Sequence, residues 1–128
     1  MQNVADPNEQ PAPVLMTKGA FFGAVFAVLG AFPAAALVGL VYRFPIPMAG
    51  YASGFEAIFP SVIAVIFYGV LGGFAILSVL GAIGGSIAYS LGMPNDRVKL
   101  KATLVVAFVI DLLAAIFMAI LEWFIGPW

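Results

Sequence analysis

Residues 57–92 are apolar almost without interruption, and small residues recur along them at every fourth position. An uninterrupted apolar run of about 18 residues or more is the mark of a helix that crosses a membrane. One row holds Ala57, Ser61, Gly69, Gly73, Gly81 and Gly85, broken only by Val65 and Leu77, and Gly84, Ala88 and Gly92 begin a second row. Lipid gives helices little hydrophobic reason to associate, so spans pair through close backbone approach, which small residues four apart permit. The pairs Gly69/Gly73 and Gly81/Gly85 are both of the GxxxG kind. This stretch is therefore expected to be one long helix on which the others pack.

Two more apolar runs flank it, at residues 18–42 and 100–125. In the first, Gly19, Gly23, Ala27, Ala31, Ala35 and Gly39 lie four apart without a break, giving a smooth strip along the whole helix. Pro33 lies well inside it, leaves the carbonyl of Leu29 without a donor and, beside Gly30, favours a kink. The expected fold is an all-α integral membrane protein. Its three transmembrane helices form a compact bundle over residues 17–128, with small-residue packing strips on helices 1 and 2.

Residues 1–16 are polar, carry Asp6 and Glu9 and contain Pro7, Pro11 and Pro13, so they read as a tail without regular structure. A cleaved signal peptide is the competing reading, but the apolar run continues past Ala34, Ala35 and Ala36 to Tyr42, as a retained span does. Residues 43–56 turn through Pro45, Pro47, Gly50 and Gly54 while keeping Phe44, Ile46, Met48 and Tyr51, which predicts a loop lying in the membrane interface. Pro60 suits the first turn of the second helix. That helix is roughly 45 Å long from residue 60 to 90, against a hydrocarbon core of about 30 Å, so it must tilt or protrude. Gly92, Pro94 and Asn95 end it, and Asn95 or Asp96 can cap the third.

The chemistry open to such a chain is narrow. Of the 128 residues, 64% are hydrophobic and 9% charged, far from the soluble average. With no cysteine and no histidine, disulfides, thiol chemistry and the common zinc, haem and iron–sulfur ligand sets are excluded, and no metal or other cofactor is expected. Five basic residues make no nucleic-acid footprint. Their positions fix an orientation instead: Arg97, Lys99 and Lys101 lie in the loop between spans two and three, Lys18 precedes span one, and only Arg43 lies opposite. This predicts a bacterial inner (cytoplasmic) membrane protein with its amino terminus in the cytoplasm and its carboxyl terminus outside. Tyr42, Trp123 and Trp128 would mark the outer interface, and Phe21, Phe22 and Tyr89 the inner one.

One residue stands apart. Asp111 is the only ionisable side chain deep within a span, where an aspartate costs on the order of 3 kcal/mol by insertion scales. It shares a helix side with Thr103, Ala107, Ala115, Ala119 and Glu122, so it should face other helices and not lipid. Counting residues from the inner boundary places Ser78 and the Leu29 carbonyl at a similar depth. No Lys, Arg or His lies deep within the spans, so the expected state is a protonated carboxyl donating to a carbonyl or hydroxyl. Three roles are open to it: a hydrogen bond that fixes helix register, a proton or ion relay, and a salt bridge to a basic residue of another subunit.

No catalytic group is expected. Ser61, Ser78, Ser86 and Ser90 have no base near them in sequence and read as bonding back to their own helices, while Glu56 and Glu122 read as surface groups beside Arg43. The cluster Arg97, Lys99 and Lys101 serves topology first and anionic lipid second. The expectation is a non-enzymatic accessory or assembly subunit of a larger membrane complex, with lipid and other membrane subunits or its own copies as partners. The alternative is a small homo-oligomeric, proton-coupled transporter or channel that uses Asp111.

Overall fold

A computed structural model describes Pro7 and residues 11–125, which are mostly helical. Three stretches, Pro13–Val41, Phe55–Ser90 and Asp96–Ile120, are long and apolar enough to cross a membrane. The first helix, α1, spans Ala12–Val41 and begins earlier than expected. Part of the expected tail, residues 1–6 and 8–10, lies outside the described residues, but residues 12–16 are helical. Pro11 stands at the N-cap and Pro13 falls in the first turn, where a missing N–H costs nothing. Prolines that read as breakers thus mark a helix start.

α1 passes Pro33 as an unbroken α-helix. A break in helical geometry lies in the second span. After a short 3₁₀ turn, Phe55–Ala57, that span consists of α2, Ile58–Tyr68, a wide turn, Gly69–Gly73, and α3, Phe74–Ser90. Within the turn the Phe74 N–H reaches back five residues to the Gly69 carbonyl, and Gly72 adopts φ 123°, ψ −11°. Only glycine takes that conformation without strain. Each glycine also weakens a helix interior by about 1 kcal/mol, so three within five residues make this the natural place for the ladder to break.

Residues 43–56 are more regular than a loop. Phe44–Ile46 (β1) and Gly50–Ala52 (β2) pair antiparallel, with Phe44 opposite Ala52 and Ile46 opposite Gly50. The turn closes through an Ala49 N–H to Ile46 carbonyl bond of 3.0 Å, with Pro47 second and Met48 third at φ 63°. A bend of this kind needs a positive φ at its third position. Arg43 lies over the Tyr51 ring at 4.3 Å, and Phe44 is buried beneath. The last long helix, α4, is Asp96–Ile120, and its N-cap is Asn95, whose Oδ1 accepts from the Val98 N–H at 2.9 Å. A final turn, α5, covers Glu122–Ile125. Trp128 lies outside the described residues, and Trp123 is exposed.

The helix on which the others pack is α1, not the second span. It meets α3 most extensively, then α4 and α2. A Cβ placed on Gly23 would lie 2.8 Å from the Gly81 carbonyl carbon and 2.9 Å from the Gly85 Cα, while one on Gly19 would lie 2.8 Å from the Gly85 carbonyl carbon. Ala27 meets the same helix, its Cβ 2.6 Å from the position a Cβ on Gly81 would take. Toward the other end, a Cβ on Gly39 would come within 2.6 Å of Ser61 Oγ and 3.3 Å of Ala57 Cβ. Gly69 and Gly73 depart from the packing role expected of them. What a Cβ on Gly69 would meet is the ring of Phe74, folded back across the break, and a Cβ on Gly73 would meet the Tyr68 carbonyl at 2.8 Å. Those two glycines make room for the turn itself.

The ends of the molecule sort by contact. Ser86 Oγ donates to the Met16 carbonyl at 3.1 Å, Phe22 stacks on Tyr89 with ring centroids 6.4 Å apart, and Lys99 Nζ lies 5.9 Å from the Tyr89 ring. Lys18, Tyr89 and the start of α4 therefore share one end. The hairpin occupies the other, where the Gly54 N–H donates to the Gly39 carbonyl at 3.0 Å.

Candidate functional site

α4 buries one face in steps of four: Thr103, Ala107, Asp111, Ala115 and Ala119. The small members of this row let α4 lie close to α1, and the close fit carries Asp111 inside with them. Asp111 is 1% exposed. Its carboxyl rests where a side chain on Gly30 would otherwise be: a Cβ there would overlap Oδ2 and lie 3.3 Å from Cγ. Gly30 thus serves the site by lacking a side chain.

Neither Asp111 oxygen has a hydrogen-bond partner among the described residues. The expected bond to the Leu29 carbonyl or to Ser78 is not among the hydrogen bonds of the described residues. Ser78 is half-buried on α3 and does not line the cavity beside the carboxyl. Thr103 Oγ1 donates to the Lys99 carbonyl at 2.9 Å and Ser90 Oγ to Ile87 at 2.8 Å, the back-bonding expected of span hydroxyls. Ser86 instead bonds across to α1, and Ser61 Oγ is buried against Gly39 without a partner.

Beside Asp111 the broken span leaves a cavity of about 370 Å³. Its walls are Ala31 and Ala35 of α1, Val65 and Tyr68 of α2, Gly69 and Gly73 of the turn, Phe74 and Leu77 of α3, and Ala115 of α4. The small residues of α1 and α4 and the wide turn are the reason for the space: neither supplies bulk to fill it. Its outer rim includes Ile76, Leu80 and Phe117, all exposed on the apolar flank of the molecule. A second groove of about 540 Å³ runs between α1 and α4 on the other side of Gly30, lined by Phe26, Leu29, Pro33, Leu104 and Phe108.

Chemically, the site is one carboxyl in an apolar enclosure. Among the described residues no three acidic side chains gather to hold a metal ion. A buried carboxyl is costly unless it is protonated or meets a donor or cation. Sequence reasoning found Asp111, its helix face and its enclosure by small residues, but missed the cavity. The one signal for it was the doublet Gly72-Gly73 three residues after Gly69. No known protein family matches the chain, and no curated protein or solved structure is similar to it.

Proposed function

We propose that the chain is a non-enzymatic accessory or assembly subunit of a larger complex in a bacterial inner membrane. Its spans form a compact bundle, zipped along the small-residue strips of α1 and α3. The observation that carries this reading is where the described residues lie: outside the long helices and their broken turn they amount to a hairpin and short connections, so contacts must be made within or beside the bilayer. The strip of α1, from Gly19 to Gly39, is buried inside the chain, which leaves the large apolar side chains of the outer faces for other subunits, other copies and lipid. The end that holds Lys18, Arg97, Lys99 and Lys101 is assigned to the cytoplasm, with the amino terminus there and the hairpin outside. Purification in mild detergent, followed by mass spectrometry, should recover the chain with a second membrane polypeptide in fixed proportion. Recovery of a bare monomer from every mild detergent would refute it.

A second reading rests on the unpartnered Asp111: a small proton-coupled transporter. The carboxyl is enclosed by its own chain, which favours a path through the cavity of each copy over one lined by Asp111 from several copies. In that reading Asp111→Asn keeps the fold and abolishes pH-dependent flux in reconstituted vesicles. Flux that survives the substitution refutes it.

A further inference from the structure

We infer that the groove between α1 and α4 holds one acyl chain of an anionic glycerophospholipid, whose phosphate is met by Arg97 and Lys101, with Lys18 across from them. The helical rows bring these groups to the head of one groove. On α4, Arg97, Lys101, Leu104 and Phe108 follow one another at steps of three or four and so share a side. On α1, Lys18, Phe22, Phe26 and Leu29 do the same. Phe26, Leu29, Leu104 and Phe108 line the groove, so both of its walls run on into cations. Gly30, lying against Asp111, sets the level of one helix on the other. Lys18 precedes Gly30 by about 18 Å of helix and Lys101 precedes Asp111 by about 15 Å, so the two stand at one level, at the end that holds the start of both helices.

Charge and depth decide the occupant. Among the described residues the only acid at this end is Asp96, which stands on the row of Thr103 and not on that of Arg97 and Lys101. Lys99 is turned away as well: it lies 5.9 Å from the Tyr89 ring, on the row of Val106 and Ile110, which a Cβ on Gly84 of α3 would meet. The head of the groove is therefore positive, and Arg97 and Lys101 are exposed there. From Lys101 the groove descends to Val109, about 12 Å of helix, close to the roughly 15 Å that one leaflet gives to the hydrocarbon core. Leu29, Leu104 and Val105 are half or more exposed along it, so an acyl chain can lie against them directly. Asp111 takes no part, since both its oxygens are buried. A soluble phosphate suits the head but has no use for the apolar walls, and a zwitterionic lipid fills the walls but brings a cation of its own to the head. This inference does not depend on the assembly reading, because head and walls belong to one chain.

The probe is phosphatidylglycerol, set against phosphatidylcholine with the same acyl chains. Native mass spectrometry of the purified full chain, titrated with each lipid in mild detergent, should show phosphatidylglycerol bound about tenfold or more tightly than phosphatidylcholine. Arg97→Gln combined with Lys101→Gln should weaken phosphatidylglycerol by about ten- to a hundredfold, the loss of two cations beside a lipid phosphate, and leave phosphatidylcholine unchanged. Lys99→Gln removes a charge from the same end but off the groove, and should change neither lipid by more than about threefold. Leu104→Trp, which puts bulk against the groove and keeps every cation, should weaken both lipids. Equal affinity for the two lipids overturns the inference, as does a loss in Lys99→Gln as large as that in the double variant. So do unchanged binding in Leu104→Trp, displacement of phosphatidylglycerol by glycerol 3-phosphate, and a co-purifying polypeptide that fills the groove and excludes lipid.

Discussion

Gly23→Ala adds one methyl group, and the molecule has no place for it. The new Cβ would lie 2.8 Å from the Gly81 carbonyl carbon and 2.9 Å from the Gly85 Cα. Ordinary carbon contacts sit at about 3.5–4.0 Å, so the shortfall is about 0.7 Å or more. Both obstacles are helix backbone and cannot rotate aside, so α1 and α3 must separate by a similar amount. A gap of about 0.5–1 Å forfeits a quarter to a half of the dispersion attraction of each contact it opens. The loss is spread along the most extensive interface in the molecule, and overpacking of this kind costs about 1–3 kcal/mol. Gly92→Ala is the control, since a Cβ there meets no atom within 4 Å, and it should stay within about 0.5 kcal/mol of the natural chain. Unfolding in mixed micelles by increasing dodecyl sulfate, followed by circular dichroism, reads the difference. A Gly23→Ala midpoint equal to that of Gly92→Ala would refute the reasoning.

Three further outcomes are expected. Asp111→Ala should leave unfolding in the same mixed micelles unchanged or raise stability by about 1–3 kcal/mol, because it removes a desolvated carboxyl that gains no hydrogen bond; a clear loss would reveal a partner. Gly72→Ala should cost about 1–3 kcal/mol although nothing crowds it, because φ 123° is closed to alanine; an unchanged midpoint would show that the break straightens freely. Single cysteines at Gly92 and Ser53, introduced into this cysteine-free chain, should differ in intact cells, with Ser53→Cys reacting with an impermeant thiol reagent and Gly92→Cys protected. Equal labelling would remove the assigned orientation.

How far the fold could be read from the chain depends on the kind of feature. Three helices long and apolar enough to cross a membrane follow from hydropathy alone, since runs of that length span the hydrocarbon core. The Asn95 cap was legible because a side-chain acceptor just before a helical run has few other uses. Glycine spacing was ambiguous in a way that period cannot resolve. Gly81 and Gly85 lie against α1, whereas Gly69 and Gly73, equally spaced, open a turn. The two pairs differ in Gly72, whose positive φ is a property of one residue and leaves no mark on the four-residue period. Pro33 lies within a continuous α1, because loss of one hydrogen bond does not interrupt a helix that neighbours hold on several sides. The hairpin was hidden by its prolines, which suit a turn and an edge strand as readily as a loop.

The candidate site divides along the same line. Composition exposes Asp111 at once, as a lone acid in an apolar span, and the four-residue row of Thr103, Ala107, Ala115 and Ala119 turns it inward. What a sequence cannot carry is whether an inward group finds a partner, since that depends on distances between helices and not on depth along each of them. Ser78 and the Leu29 carbonyl were matched to Asp111 by depth, yet neither bonds to it, while Gly30 touches the carboxyl because it offers no atoms of its own. An apolar residue at position 111 would suit this enclosure better than an acid does. The chain therefore bears a local cost that its own packing does not repay. A hydrogen bond holding helix register would have spent the carboxyl on structure. Here both oxygens stay buried without a partner among the described residues, one of them against Gly30, so the cost falls on the contact between α1 and α4.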